Sequence, residues 1–273
     1  MPRIREIIKN SSQRIKEVTE IPKKEVIMLL SHFLKKDMIW IMTHEDEDID
    51  IPKEFFGALK KREEFYPLEY ITKSTQFYSK DFYTDDRVLI PRPESEILVD
   101  KAILTCKEFD FPKVAEIGTG SGILSITLAL MVEKIKITAT DISKDALEVA
   151  KINAEKHKID SKITFVHTNL LDGIDEKPDI LISNPPYIKR DESLDKNLSY
   201  EPDLALFGGE EGDEFLKKII DITIKRDIKY LICEMGYDQK EKIERYCSDF
   251  YNVKLEFYKD LAGFDRGFVL SCS

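Results

Sequence analysis

From residue 113 onward the chain alternates short apolar runs rich in β-branched residues with longer runs of helical period, and this alternation limits the fold more than any other feature. Val114–Ile117 reads as a strand, 121–132 as a helix, Ile135–Thr140 as a strand, 143–157 as a helix and Ile163–Val166 as a strand. Asp179–Ser183 and Ile228–Glu234 read as further strands, with helices over 212–225 and 238–249 and closing strands over Val253–Phe257 and Gly267–Ser271. A βαβ series of this kind predicts an α/β fold: a mostly parallel sheet with helices on its faces.

The part before residue 113 has a different texture. Ile4, Ile7, Ile8 and Ile15 recur near helical spacing, as do Val26, Leu29, Leu30 and Phe33, and Pro22 and Pro52 stand where helices start. Residues 1–65 therefore read as a small helical domain, with the acidic run Glu45–Asp48 as a solvated loop. No nucleotide or metal motif falls in it, which points to recognition. Between 66 and 90 aromatic and β-branched residues, broken at Ser79-Lys80-Asp81, predict a β-hairpin linker. The third segment, 91–273, opens with Pro91-Arg92-Pro93-Glu94-Ser95-Glu96 leading into a helix through Ile97, Leu98, Val99, Ala102 and Ile103. On period alone this is a helix start with acids in its first turn, favoured by the helix dipole.

Composition excludes several classes. With 42% hydrophobic and 34% charged residues the chain has a full core's worth of apolar side chains. No run is long and apolar enough for a membrane span, and the N-terminus lacks the apolar centre of a signal peptide, so the expectation is a cytoplasmic protein with no membrane partner. The four cysteines and four histidines are scattered without ligand spacing, so neither a disulfide framework nor a metal site is expected. A formal net charge of −10, with basic residues interleaved among acids, argues against direct nucleic-acid binding and favours a basic partner.

Two loops carry chemistry. The first strand runs out through Glu116-Ile117 into Gly118-Thr119-Gly120-Ser121-Gly122, and a helix follows. Alternate glycines let the backbone turn sharply and approach a ligand closely, and Asp141 at the end of the second strand suits two ribose hydroxyls. Together they indicate an adenosine-containing cofactor. Glu116 beside the loop, with no lysine or arginine within it, fits a sulfonium better than a pyrophosphate. After the third strand, Asn169 is placed to meet the adenine amino edge and Leu170 the ring.

The second loop is Asn184-Pro185-Pro186-Tyr187, leaving the strand at Ser183. Two prolines contribute no N–H and fix an extended corner. Read alone, it is equally a stiff turn with an ordinary packed tyrosine. At the carboxyl end of a sheet strand, where α/β folds bind ligands, it suits an external –NH2 group. The Asn184 side-chain oxygen and the Pro185 carbonyl can each accept one of its hydrogens, while Tyr187 lies flat against the planar group that carries it.

The glycine loop, Asp141 and Asn-Pro-Pro-Tyr in this order resemble class I S-adenosylmethionine-dependent methyltransferases acting on amide or exocyclic nitrogens. Leu89–Glu96, Asn184–Ile188, Glu201-Pro202 with Ala205–Gly209 and Gly212, Glu234-Met235-Gly236 with Gln239, and Asp260–Gly263 with Arg266 narrow the resemblance to the HemK/PrmC family. It covers nearly the whole chain. Asn169 stands where that family usually has an acid, Glu116 replaces a more usual aspartate, and Thr72-Lys73 stand where a glycine is common. The resemblance implies a Rossmann-like sheet with its last strand antiparallel, preceded by a helical domain and a hairpin. It implies S-adenosylmethionine as cofactor, held by Glu116, Gly118, Thr119, Gly120, Ser121, Gly122, Asp141, Asn169, Leu170 and Asn184. It implies methylation of the glutamine in the Gly-Gly-Gln motif of class 1 peptide chain release factors, with Asn184, Pro185 and Tyr187 acting on it and Pro186, Arg92, Pro93 and Glu94 completing its pocket. The alternative expectation is an N6-adenine or N4-cytosine methyltransferase using the same corner for a flipped base.

Overall fold

The computed structural model describes residues 1–272, which divide into two compact units. The first comprises Met1–Ser74 with Leu194–Tyr200, and the second Thr75–Ser193 with residues 201–272.

The first unit contains helices α1 (Ile4–Arg14), α2 (Pro22–Leu34), α3 (Met38–Thr43), α4 (Lys53–Glu63) and α5 (Leu68–Thr72). Pro22 opens α2 and Pro52 precedes α4, positions where a missing N–H costs nothing. Ile4, Ile7, Ile8, Ile15, Val26, Leu29, Leu30 and Phe55 form its core. Set against that core is a charged pair. Arg62 Nε and Nη2 donate to Glu25 Oε2 and Oε1 at 2.6 and 3.1 Å, with both side chains under 10% exposed. A third nitrogen, Nη1, donates to Asn197 Oδ1 at 3.3 Å.

The stretch read as a hairpin over 66–90 is resolved differently. Pro67 precedes the helical turn α5, because Leu68 is drawn into the apolar core of the first unit. The hairpin itself is only β1 (Thr75–Phe77) and β2 (Lys80–Phe82). Its two-residue turn is Tyr78-Ser79, both at positive φ (51° and 58°), the geometry that matches strand twist. The strain is offset by two bonds at 2.7 Å, Tyr78 N to Glu96 and Tyr78 Oη to Asp100, and by burial of Phe77 and Phe82. Residues 88–90 form no strand.

The second unit continues with α6 (Ser95–Cys106), β3 (Lys113–Ile117), α7 (Ile123–Met131), β4 (Lys136–Asp141), α8 (Lys144–His157), β5 (Ile163–His167), β6 (Ile180–Ser183), β7 (Ile188–Lys189), α9 (Asp203–Leu206), β8 (Phe207–Gly209), α10 (Glu214–Lys225), β9 (Tyr230–Glu234), α11 (Lys240–Cys247), β10 (Val253–Lys259) and β11 (Asp265–Cys272). Seven strands form one sheet in the order β10-β11-β9-β6-β3-β4-β5, parallel except for β11, which runs antiparallel to both its neighbours. Alternate residues serve opposite faces, as a pleat requires. Val114, Ile180, Ile182 and Ile232 join α6, α7 and α8, whereas Ala115, Ile117, Leu181, Leu231 and Cys233 join α10 and α11. The chain leaves β3 in one direction for β4 and β5 and returns on its other side as β6. The strand order therefore reverses between β3 and β6, where such sheets open a crevice. The short parallel pair β7–β8 and the single turn α9 have no counterpart in the sequence reading.

Replacing Arg62 by leucine should cost about 3–5 kcal/mol in urea unfolding by stranding the Glu25 carboxylate, and the double variant Arg62→Leu/Glu25→Leu should recover most of the loss. Equal costs for single and double variants would contradict this account.

Candidate active site

The glycine loop is shaped by its neighbours. Gly118 N and Thr119 N both donate to the Thr140 carbonyl of β4, at 2.9 and 3.0 Å. This turns the chain away from the strand direction at once. Gly122 then starts α7 at φ 78°, where a Cβ would lie 3.0 Å from both Ala150 Cβ and Ile126 Cδ1. Its lack of a side chain serves helix packing, and it does not line the cavity described below.

Glu116 is 1% exposed and accepts at Oε2 from the hydroxyls of Thr119 (2.7 Å) and Ser125. Burial disfavours its charged form and pushes the carboxyl up to about 7, against the pull of those two hydroxyls. Asp141, the last residue of β4, accepts from Gly120 N at 2.8 Å on one oxygen and from Ser143 N at 2.9 Å on the other. Burial raises its pKa as well. Each oxygen keeps a further lone pair, so Asp141 closes the glycine loop and can still accept from a ligand.

The proline corner is held from several sides. Ser183 Oγ donates to the Ile117 carbonyl at 2.8 Å, tying β6 to the mouth of the glycine loop. Gln239 donates through Nε2 to the carbonyls of Tyr187 (3.1 Å) and Gly212 (3.0 Å) and accepts from Gly236 N. Gly208 of β8 passes so close that a Cβ would lie 2.5 Å from the Pro186 carbonyl and 2.4 Å from that of Gly212. Only glycine fits there. Asn184 Nδ2 donates to Ser95 Oγ at 3.0 Å, and Ser95 Oγ donates to Glu234 Oε2 at 2.6 Å.

Both loops open into one cavity of about 310 Å³. Of the sequence-selected residues, Glu116, Gly118, Thr119, Gly120, Ser121, Asp141, Asn169, Leu170, Asn184 and Pro186 line it. Pro185 is buried and is not among the residues that line it. Tyr187 is turned away: its ring packs on the apolar cluster of α10 and α11, next to Glu234 and Arg266, and burial pushes its hydroxyl up to about 12. Arg92, Pro93 and Glu94 also lie outside the lining. Arg92 pairs with the buried Glu201, which accepts from Ile90 N at 2.9 Å as well, Pro93 faces solvent, and Glu94 stands immediately before α6 without a side-chain cap bond. Thus Arg92 stiffens the wall through Glu201. Sequence reasoning did not select Ser95, Glu234 or the apolar wall of Leu204, Ala205, Phe207 and Phe215. Ser95, Ala205, Phe207 and Glu234 lay within the family-like strings without a chemical role attached, whereas Leu204 and Phe215 fall in none of them.

The charged groups of the lining are Glu116, Asp141 and Arg87. Arg87 is already engaged by Asp85, at 2.8 and 2.9 Å, and by Glu148 at 3.0 Å. These groups fit a cationic nucleoside such as S-adenosylmethionine, with acids for ribose and sulfonium, and among the described lining residues none offers a free cation to a pyrophosphate. Asn169 is exposed at the rim, and Leu170 is held at φ 52° with its carbonyl accepting from Thr140 Oγ1 at 2.8 Å.

Comparison with known proteins agrees with this geometry. Residues 6–72 match the family described as PrmC N-terminal domain, and residues 95–200 match Methyltransferase small domain. The chain is 36% identical over 274 residues to a release factor glutamine methyltransferase of Dictyoglomus turgidum, covering 96% of each protein. It is 34% identical to the enzyme so named in Clostridium acetobutylicum, covering 88% of this chain and 87% of that one. A bifunctional methyltransferase of Rickettsia typhi is 31% identical over 98% of this chain, which spans 57% of that longer protein. Among solved structures, a ribosomal protein L11 methylase of Lactobacillus delbrueckii superposes with a TM-score of 0.51 at 23% identity, covering 69% of this chain and 83% of that one. A methyltransferase of Pyrococcus furiosus does so with 0.51 at 18%, covering 71% and 89%. Both place the fold alone.

Glu116 and Glu234 hold their protons to higher pH when folded than when unfolded, since each carboxyl sits at about 7 against an ordinary 4.5. The stability they contribute is complete below the unfolded value and is lost as pH rises through about 7. The ligand-free protein should therefore melt lower at pH 8 than at pH 6, and Glu116→Gln should remove part of that slope in a thermal-melt series. An unchanged slope would contradict the buried-acid assignment.

Proposed function

Because this chain belongs to the release factor glutamine methyltransferase family, we propose that it transfers a methyl group from S-adenosylmethionine to the side-chain amide nitrogen (N5) of the glutamine in the Gly-Gly-Gln motif of class 1 peptide chain release factors. The observation that carries this reading is the opening of the glycine loop and of Asn184 into one cavity, at the carboxyl ends of two paired strands.

In this reading the loop Gly118–Ser121 with Glu116, Asp141, Asn169 and Leu170 holds the cofactor, which when bound supplies a methyl group already activated by the positive sulfur. The chain's own task is with the other reactant. A glutamine amide nitrogen is a poor nucleophile because its lone pair is delocalised into the carbonyl. Asn184 Oδ1 and the Pro185 carbonyl accept its two hydrogens, fix the amide plane and stabilise the positive charge that the nitrogen gains on attack. Positioning of this kind replaces a bimolecular search and supplies much of the rate. Leu204, Ala205, Phe207 and Phe215 exclude water around the reacting atoms. The Pro91–Glu96 segment supports the pocket through Arg92 and Glu201, and Tyr187 fixes the corner from behind by its packing. The helical unit at the N-terminus contributes recognition of the release factor, a substrate of the cytoplasm.

Incubation with S-adenosylmethionine and either a class 1 release factor or duplex DNA, followed by mass spectrometry, should place one added methyl on the Gly-Gly-Gln glutamine and none on DNA. Asn184→Ala should lower turnover by about a hundredfold, as loss of one preorganised group does, while cofactor affinity measured by calorimetry changes by less than about threefold, under 1 kcal/mol. Equal losses in both would contradict the acceptor role.

A further inference from the structure

We infer that Ser95 and Glu234 are positioning residues for methyl transfer: through a relay of two hydrogen bonds they fix which end of the Asn184 amide faces the cavity. This inference rests on the proposed reaction and concerns how the glutamine is held.

An asparagine amide has nearly the same shape in both orientations, which differ only in presenting an oxygen or an –NH2 group. An incoming glutamine nitrogen needs acceptors, so the wrong orientation sets donor against donor. Packing alone cannot choose between the two. Hydrogen bonding can. Glu234 ends β9 and is 1% exposed, whereas Ser95 begins α6 and is 2% exposed. The Ser95 hydroxyl has a single hydrogen and donates it to Glu234 Oε2 at 2.6 Å. Its oxygen is thereby left to accept, and Asn184 Nδ2 donates to it at 3.0 Å. With Nδ2 fixed there, Oδ1 is the end presented to the substrate. Because the relay starts at a buried carboxylate, each bond polarises the next.

The direction of the relay depends on the charge of Glu234. Once protonated on Oε2, the oxygen that faces Ser95, that carboxyl becomes a donor to Ser95, the serine hydrogen turns toward Asn184, and the amide rotates to present –NH2. The titratable and charged groups facing Glu234 are Arg266 from β11, Arg92 and Glu94 from the segment before α6, Tyr187 after the corner, Tyr258 from β10 and Cys233 beside it on β9. Burial outweighs the two arginines and pushes the carboxyl up to about 7, so the reversal falls in the neutral range. Turnover should fall as pH falls through that value. Glu116 titrates in the same range, but its effect falls on cofactor binding and is removed by saturating S-adenosylmethionine.

The test uses the full chain with a class 1 release factor at saturating S-adenosylmethionine. It compares wild type with Ser95→Ala, Ser95→Thr, Glu234→Gln and Asn184→Ala, reading kcat, KM, the pH profile, cofactor affinity by calorimetry and the melting temperature. Ser95→Ala should lower kcat about tenfold, the value of one charge-assisted hydrogen bond, with cofactor affinity unchanged. Ser95→Thr, which keeps the hydroxyl, should recover most of that loss. Wild-type kcat should decline below about pH 7, and Glu234→Gln should lose that limb. The relay is overturned if Ser95→Ala keeps wild-type kcat while Asn184→Ala does not, in which case the proposed reaction still stands. It is overturned too if threonine rescues nothing, or if the acid limb persists in Glu234→Gln. Should Ser95→Ala fail to fold, the Glu234→Gln profile decides alone. Absence of methyl transfer by wild type would instead remove the proposed reaction, and the relay with it.

Discussion

The parallel pairing of β3 with β6 is the constraint on which the rest of the site depends. Their register sets Ile117 opposite Ser183, and Ser183 Oγ closes the gap to the Ile117 carbonyl at 2.8 Å. Whatever leaves the two strands must leave side by side. One continuation is a run of alternating glycines and the other a pair of prolines, the most and least flexible backbones available. The flexible loop curls around a ligand volume, and the stiff one stands over it without collapsing into it. Both strands are buried on both faces, so a slip in register would disturb two apolar layers at once.

Around this junction the fold tolerates groups that a core ordinarily excludes. Glu116 on β3 and Glu234 on β9, the two strands that flank β6, are almost fully buried carboxyls, and each is held mainly by hydroxyls. A buried carboxylate without a full set of donors is costly, and the rise of both groups to about 7 expresses that cost. Carboxyls perturbed in this way concentrate at functional sites because a ligand or a substrate contact completes their environment. Among the described residues no cation figures among the influences on the Glu116 carboxyl, and a sulfonium would supply one. Glu234 has Arg266 and Arg92 near it and acts on its neighbours through Ser95.

The architecture was legible in the sequence because hydrophobic period is set locally. Strands of β-branched residues buried on two faces and helices of 3.6 period announce themselves within a dozen residues. The glycine loop and the proline corner were legible for the same reason, each being one short string with an unusual backbone. Elements fixed by distant contacts were not. The aromatic run at 66–71 looks like a strand, yet burial of Leu68 against the helical core makes it a helix. The Tyr78-Ser79 turn lacks the glycine or asparagine that normally marks such a turn, and depends on Glu96 and Asp100 from α6. Ser95, Asn184 and Glu234 lie on three separate elements, and nothing in any one of those strings says that they meet. Tyr187 shows the converse: a residue type that suits substrate stacking is here committed to the apolar layer behind the corner.

The central claim is that Asn184 and Pro185 accept the two hydrogens of a glutamine amide and so aim its nitrogen. The most direct test is a crystal structure of the protein with S-adenosylhomocysteine and a peptide containing Gly-Gly-Gln. The account predicts the glutamine –NH2 at about 2.9 Å from both Asn184 Oδ1 and the Pro185 carbonyl, with the adenosyl group along the glycine loop. A glutamine lying with its carbonyl oxygen against Asn184, or seated outside the cavity shared by the two loops, would contradict it.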